Sequence, residues 1–94
     1  MNRFEWDNEK ARTNLEKQGI SFDEIYILYR DPDRIEVDST RPEHGETRFR
    51  VIGWSLGRLI SAVCTMRGSR VRVISIRRAR DGEERKYRTG QSSR

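Results

Sequence analysis

The sequence predicts an α+β fold with two N-terminal helices, a three- to four-stranded antiparallel sheet and a C-terminal helix. Helix-capping residues punctuate the first third of the 94-residue chain, and alternating apolar residues with two turn signals follow in the second half. We expect one domain over residues 1–90 and a disordered tail at 91–94.

The first helix is marked at both ends. Asp7 is a favourable N-cap, and Trp6 and Ala11 occupy the two positions of a hydrophobic staple. Gly19 suits the left-handed residue that closes a helix. Ala11 and Leu15 lie four residues apart on one face, so we expect that face to be buried.

A second helix is predicted to follow directly. Ser21 and Glu24 have the spacing of a capping box, in which each side chain satisfies a backbone N–H of the first turn. Asp31-Pro32 ends the helix because the residue before a proline disfavours helical geometry. Its apolar residues are Ile25, Ile27 and Leu28.

The second half of the chain indicates an antiparallel meander. We expect the helices to pack on one face of this sheet and the other face to stay open. Asp81 is predicted to cap a final helix that reaches about Arg88. The predicted strands cover residues 48–54, 58–66 and 70–77, with turns at 55–57 and 67–69, a weaker strand at 34–38 and a short edge strand at 3–6.

Charge and composition favour a polyanionic partner. Residues 1–46 carry a net charge of −5 and residues 47–94 one of +10, and the sequence pI is about 10.0. Charge runs more often only solvate a small domain, but here the basic residues alternate with strand residues. No apolar run approaches the ~20 residues that cross a membrane, so we expect a cytoplasmic protein. Cys64 and His44 are the only residues of their types and cannot build a zinc site, so we expect no cofactor or metal.

Arginines are concentrated between residues 67 and 87, in RGSRVRVISIRRARDGEERKY. The apolar residues of this segment need a core, so the arginines between them are held on a rigid strand. Guanidinium groups match phosphate oxygens two at a time, which favours a nucleic-acid backbone as the ligand. Perfect alternation would place these arginines on both faces, so we expect a bulge or a strand end near Ser75.

His44 is the only side chain that titrates near neutral pH without help from its surroundings. Cleavage of RNA through its 2′-hydroxyl needs a base, an acid and positive charge for the transition state. His44 or Glu46 with several arginines could meet this need, although a solvated loop histidine is the more common case. Glu84 and Tyr87 share a face of the last helix, where an ion pair and core packing are the alternatives to a place in the site.

Short segments along most of the chain occur in an order that resembles a known family. They are Phe4-Glu5-Trp6-Asp7, Lys10, Asn14-Leu15, Lys17, Gly19-Ile20-Ser21-Phe22, Asp31-Pro32, His44-Gly45-Glu46-Thr47-Arg48, Gly53, Gly57-Arg58-Leu59, RVISIRRA at 72–79 and ERKY at 84–87. The series resembles the BrnT family of toxins from bacterial type II toxin–antitoxin pairs. Gln18 stands where the family pattern has a histidine, and Met66 where it often has an acidic residue.

The resemblance implies a ribonuclease with a RelE-like α+β fold, and we expect an endoribonuclease toxin that inhibits translation by cutting RNA without a metal or cofactor. It also implies a protein antitoxin with a ribbon-helix-helix DNA-binding domain, so that operator DNA is reached only through the antitoxin. The expected catalytic residues are His44, Arg48, Arg67, Arg77 and Arg78. Arg70, Arg72 and Arg80 would extend the RNA-binding surface, and Glu46, Glu84 and Tyr87 would support the site.

Two alternatives remain open at this point. A non-catalytic nucleic-acid-binding module would use the same arginines and show salt-sensitive binding without cleavage. An inactive toxin that survives as a corepressor of its antitoxin would also leave RNA intact.

Overall fold

The computed structural model describes residues 3–92, and within this range the chain forms three α-helices and a five-stranded mixed sheet. The elements are β1 (Phe4–Trp6), α1 (Asn8–Gln18), α2 (Glu24–Leu28), β2 (Ile35–Asp38), a 3₁₀ turn (Pro42–His44), β3 (Phe49–Ser55), β4 (Arg58–Arg67), β5 (Arg70–Arg78) and α3 (Asp81–Ser92). The strand order is β1-β5-β4-β3-β2, with β1 parallel to β5 and the other neighbours antiparallel.

The α+β class, the positions of the three helices and the edge strand at 3–6 are confirmed, but the sheet has five strands and is mixed, where three to four antiparallel strands were predicted. The difference arises at β1, which joins the sheet as a parallel edge strand with Phe4 beside Val71 and Trp6 beside Val73. Phe4 is buried and its ring lies edge-on to the rings of Tyr26 and Tyr29, at 5.0 and 4.8 Å between centroids. Three residues carry too little alternation to reveal this pairing in the sequence.

Helix α1 ends as predicted but buries a different residue. Gly19 closes the helix in the left-handed conformation, with φ of 69°. Asp7 occupies the N-cap position without a side-chain capping bond. Leu15 is 51% exposed, so the expectation that it is buried is wrong, whereas Asn14 is only 8% exposed.

Asn14 is buried because its side chain pairs with the free edge of β5. Its Oδ1 accepts the N–H of Ile76 at 3.0 Å, and its Nδ2 donates to the carbonyl of Ile76 at 2.9 Å. Nδ2 also donates to the carbonyl of Ile20 just beyond the helix, at 3.0 Å. The amide therefore takes the place of a neighbouring strand residue where β1 has already ended.

Helix α2 does not begin with the predicted capping box. The Oε1 atom of Glu24 accepts the hydroxyl of Ser55 at 2.7 Å, and its Oε2 accepts Arg58 Nη2 at 3.1 Å. Ser21 Oγ instead accepts the backbone N–H of Asp23 at 3.3 Å. Glu24 thus ties α2 to the β3–β4 hairpin, a long-range role that local spacing could not reveal.

The two predicted hairpin turns are confirmed, and so is the irregularity near Ser75. Val63 and Cys64 are consecutive in β4 but pair with Ser75 and Val73, which leaves Ile74 as the extra residue of a bulge. The bulge changes which later residues of β5 face the core.

Helix α3 packs on the face of the sheet opposite to α1 and α2. Val51 and Ala62 pair across β3 and β4 and belong to the core shared with α2. Trp54 and Leu59 pair on the opposite face, where they form a cleft with Tyr87 of α3. The expectation that all helices lie on one face is therefore wrong.

The C-terminal helix continues to Ser92, past the predicted end at about Arg88. The disordered tail expected at 91–94 overlaps the last two residues of this helix, while residues 93–94 lie outside the described residues, so the tail stays a prediction. No helix in the described part of the chain is long and apolar enough to cross a membrane.

Replacement of Asn14 by Ala is expected to lower the free energy of unfolding by about 2–3 kcal/mol, because backbone groups of Ile76 and Ile20 lose their partner. Alanine has the higher helix propensity, so α1 itself should not be weakened. For a domain of this size, the midpoint temperature of thermal unfolding should then fall by roughly 10–20 °C.

Leu15→Ala is the matched control, since Leu15 lies beside Asn14 on the same helix but is half exposed. Its unfolding free energy should stay within about 1 kcal/mol of the wild type. Equal losses in the two variants would contradict the role given to the Asn14 side chain.

Candidate active site

Arg77 and Glu83 form a two-pronged ion pair where β5 leads into α3. Arg77 Nη1 donates to Glu83 Oε1 and Arg77 Nη2 to Glu83 Oε2, both at 2.8 Å. Arg77 Nη1 also donates to the carbonyl of Arg78 at 3.0 Å. Both side chains are mostly buried, with 19% of Arg77 and 16% of Glu83 exposed, so the guanidinium is held in one orientation.

The start of α3 fixes the carboxylate of Glu83. Glu83 Oε1 accepts the backbone N–H of Arg80 at 2.9 Å, and the carbonyl of Arg80 accepts the N–H of Glu84 at 2.9 Å. Arg80 is therefore the residue that caps the helix, and Glu83 reaches back to it as in half of a capping box. Asp81, which the sequence predicted as the cap, is the first helical residue.

Arg50 reaches the same carboxylate from β3. Its Nε lies 3.5 Å from Glu83 Oε2, and its Nη1 donates to the buried hydroxyl of Ser61 on β4 at 2.8 Å. Ser61 is the strand partner of Arg77. Side chains from β3, β4, β5 and α3 thus meet at one point on the face that carries α3.

The surroundings of Glu83 are strongly positive. Burial lowers the pKa of Arg50, and the charges of Arg77, Arg80 and Arg41 lower it further, while Glu83 raises it. An arginine stays protonated despite such shifts. We call Arg50, Arg77 and Arg80, which lie around Glu83, together with Arg41, whose charge acts on Arg50, the arginine cluster.

Glu83 is ionised at neutral pH. Burial alone would raise its pKa, but hydrogen bonds from Arg77 and the Arg80 N–H, with the charges of Arg77 and Arg50, bring the pKa to about 2. One carboxylate balances only part of the charge of the arginine cluster. A phosphate group offers the same paired oxygens as this carboxylate, so the cluster is suited to bind an RNA phosphate.

A protein-family model matches residues 6–83. It describes BrnT, a ribonuclease toxin of type II toxin–antitoxin systems. That segment includes most of the 94-residue chain, and it contains Glu83 and all four arginines of the arginine cluster. The chain belongs to the BrnT family. No curated protein sequence matches the chain.

Three residues predicted from the BrnT resemblance lie in or beside the arginine cluster. Arg77 and Arg80 are members of it. His44 is exposed and ends the 3₁₀ turn that Arg41 precedes, and its N–H donates to the carbonyl of Arg41 at 3.1 Å. The charge of Arg41 acts on Arg50, so the loop that carries His44 borders the cluster.

Arg67 and Arg70 lie at the far end of β5 from the arginine cluster. They pair with each other at the β4–β5 turn, and Arg77 follows Arg70 by seven residues. At the rise of a β-strand this corresponds to roughly 20 Å. Arg67 and Arg77 are therefore too far apart to bind the same phosphate.

The remaining predicted arginines of β5 have separate surroundings. Arg72 Nη1 donates to Glu5 Oε2 of β1 at 2.8 Å. Arg78 is exposed and lines a cleft with Trp54 and Glu84, whereas Arg77 pairs with Glu83, so these consecutive arginines have different partners.

The predicted supporting residues make contacts within the fold. Arg48 Nε donates to Glu46 Oε2 at 3.1 Å in the loop before β3. Arg88 Nη2 donates to Glu84 Oε1 at 2.8 Å on α3. The buried Tyr87 donates its hydroxyl to Asp31 Oδ2 at 2.8 Å, which joins α3 to the end of α2. A catalytic part for any of them stays a prediction.

Sequence reasoning missed Arg41, Arg50, Ser61 and Glu83. Two local signals pointed to them: Arg50 is a charged residue inside an apolar strand, and Glu83 follows Arg80 at capping-box spacing. Their convergence depends on strand register, which the sequence does not display. Among the described residues, no group of three or more His, Cys, Asp or Glu side chains is arranged to hold a metal ion.

The Glu83 ion pair predicts a specific dependence of stability on pH. Because folding lowers the pKa of Glu83 to about 2, its contribution is fully present above the ordinary carboxyl value near 4.5 and is lost as pH falls toward 2. Glu83→Gln removes this titration. We expect the wild type to exceed the variant in unfolding free energy at pH 6–7, by a margin that shrinks between about pH 5 and pH 2.

Urea denaturation of both proteins across this pH range measures the margin directly. Glu16→Gln is the control, since Glu16 is an exposed carboxylate that pairs with Arg12 on its own helix. A wild-type margin over Glu83→Gln that stays constant with pH would show that the carboxylate charge is not what stabilises this junction.

Proposed function

We propose that this BrnT protein is a metal-independent endoribonuclease that cleaves RNA and thereby inhibits translation. The observation that carries the proposal is the convergence of Arg77 and Arg50 on one carboxylate. Two guanidinium groups held by different strands provide several fixed donors within reach of one anion. This arrangement suits a phosphate whose charge increases during the reaction.

In the proposed reaction the 2′-oxygen attacks the adjacent phosphorus. A bond from the 2′-oxygen to phosphorus forms, and the bond from phosphorus to the 5′-oxygen of the next nucleotide breaks. The 2′-hydroxyl loses a proton and the departing 5′-oxygen gains one, which gives a 2′,3′-cyclic phosphate and a 5′-hydroxyl. Arg77 and Arg50 would bind the non-bridging oxygens and stabilise the transition state.

Glu83 and His44 are the groups we propose for the proton transfers. When a phosphate takes the donors of Arg77, Glu83 loses the hydrogen bonds that lower its pKa and becomes a better base for the 2′-hydroxyl. His44, on the bordering loop, would protonate the 5′-oxygen. Glu46 with Arg48 is the alternative pair for this role, because both belong to the same loop.

The other predicted arginines would bind the RNA backbone beyond the scissile phosphate. Arg67 and Arg70 would act at the β4–β5 turn, and Arg78 at the Trp54 cleft. Arg72, which faces the same side of the sheet as Arg77, would act between them. Alanine variants of Arg67 and Arg78 distinguish catalytic from binding roles. Loss of a catalytic role would lower the rate at saturating RNA, whereas loss of a binding role would raise KM.

The family also supports the remaining parts of the proposal. A toxin of a type II system has an antitoxin partner. We propose that this partner carries a ribbon-helix-helix domain, that the complex reaches operator DNA through it, and that both act in the cytoplasm. A RelE-like fold belongs to the same proposal.

Replacement of Arg77 or Arg50 by Ala should lower the rate of RNA cleavage by about 100-fold or more, because a donor to the transition state is lost. Arg77→Lys keeps the charge but not the two-pronged geometry, so its rate should fall between those of Arg77→Ala and the wild type. The measurement is cleavage of a labelled RNA by purified protein in EDTA, with product ends tested for 2′,3′-cyclic phosphate.

Arg12→Ala is the matched control. Arg12 is 60% exposed and pairs with Glu9 and Glu16 on its own helix, so its loss should leave the rate unchanged. Wild-type rates for Arg77→Ala would refute the proposed site. Salt-sensitive RNA binding by the wild type without cleavage would favour the non-catalytic module or the inactive corepressor.

A further inference from the structure

A groove lies between α1 and β5, separate from the arginine cluster. Its volume is about 360 Å³. It lies where β1 has ended beside Val73 and where the bulge at Ile74 interrupts the regular register of β5. Its lining includes the polar residues Glu9, Lys10, Thr13, Asn14, Lys17 and Gln18 from α1 and Ser75 from β5.

The groove is cationic. Lys10 and Lys17 are exposed, and each can extend its ammonium group toward a ligand in the groove. Glu9 also lines the groove, but its carboxylate accepts bonds from Arg12 at 3.4 and 2.9 Å. Thr13, Gln18 and Ser75 add hydroxyl and amide groups that can bond to sugar or phosphate oxygens.

Ser75 connects the groove to the arginine cluster. It lines the groove and pairs with Val63 of β4, whose partner on β3 is Arg50. Paired residues share a face of the sheet, and neighbouring strands lie about 4.8 Å apart. The backbones of Ser75 and Arg50 are therefore about 10 Å apart, and both side chains lie on the same face.

We propose that the α1–β5 groove binds the backbone of single-stranded RNA next to the scissile phosphate, with Lys10 and Lys17 each contacting one phosphate. This inference rests on the proposed function, because it extends the same RNA across Ser75 toward α1. It assigns α1 a part in substrate binding that is independent of the chemistry at Arg77.

The test is the salt dependence of RNA binding by Lys10→Gln and Lys17→Gln. Each lost phosphate contact should reduce the slope of log K against log salt by about 0.7, measured from about 50 to about 200 mM salt. The ligand is a short 2′-O-methyl RNA, which cannot be cleaved, and binding is followed by fluorescence anisotropy. Lys10→Arg and Lys17→Arg should restore the slope.

Arg30→Gln is the control, since Arg30 is exposed beyond α2, which packs on β3 rather than on β5. It makes the same change in net charge, and its slope should stay at the wild-type value. Equal slopes for Lys10→Gln, Lys17→Gln and Arg30→Gln would overturn the proposal that the groove binds RNA. This holds even if Arg77→Ala weakens RNA binding, a result that would support the proposed function. A reduced slope confined to the lysine variants, with RNA binding by Arg77→Ala unchanged, would support RNA binding in the groove. It would count against RNA binding by the arginine cluster.

Discussion

The carboxylate of Glu83 is the interaction on which this end of the molecule depends. It bonds to Arg77 of β5 and to the backbone N–H of Arg80, which caps α3, and it lies within ion-pair distance of Arg50 of β3. Without it, the four positive charges of the arginine cluster would repel one another where β5 leads into α3. One acidic residue therefore both begins a helix and keeps basic side chains oriented in the absence of RNA.

The same arrangement connects stability with function. Arg77 is mostly buried, so its position is fixed before any ligand arrives and little ordering remains to be done on binding. A phosphate must compete with Glu83 for that guanidinium, and its advantage is the positive charge that one carboxylate leaves unbalanced. Binding of substrate and release of the carboxylate are then a single exchange of anions.

Local chemistry allowed parts of this structure to be predicted, while long-range pairing hid the rest. Gly19 ends α1 as expected because a left-handed closing residue is a local requirement. The structural role of Asn14 could not be predicted, because its side chain bonds to Ile76 on the free edge of β5, 62 residues later in the chain. Arg77 was predicted from the arginine-rich strand, but its partners Arg50 and Glu83 depend on the register of β3 and on the path of α3.

The most direct test of the central claim is an NMR titration with an RNA that carries a 2′-deoxy residue at the cleavage position. The Nε–H signals of arginine side chains and the carboxyl carbon of Glu83 would be followed together. Our account predicts that the Arg77 and Arg50 signals shift on binding, and that the pKa of Glu83 rises from its value of about 2. RNA binding that leaves the Arg77, Arg50 and Glu83 signals unchanged would contradict the account.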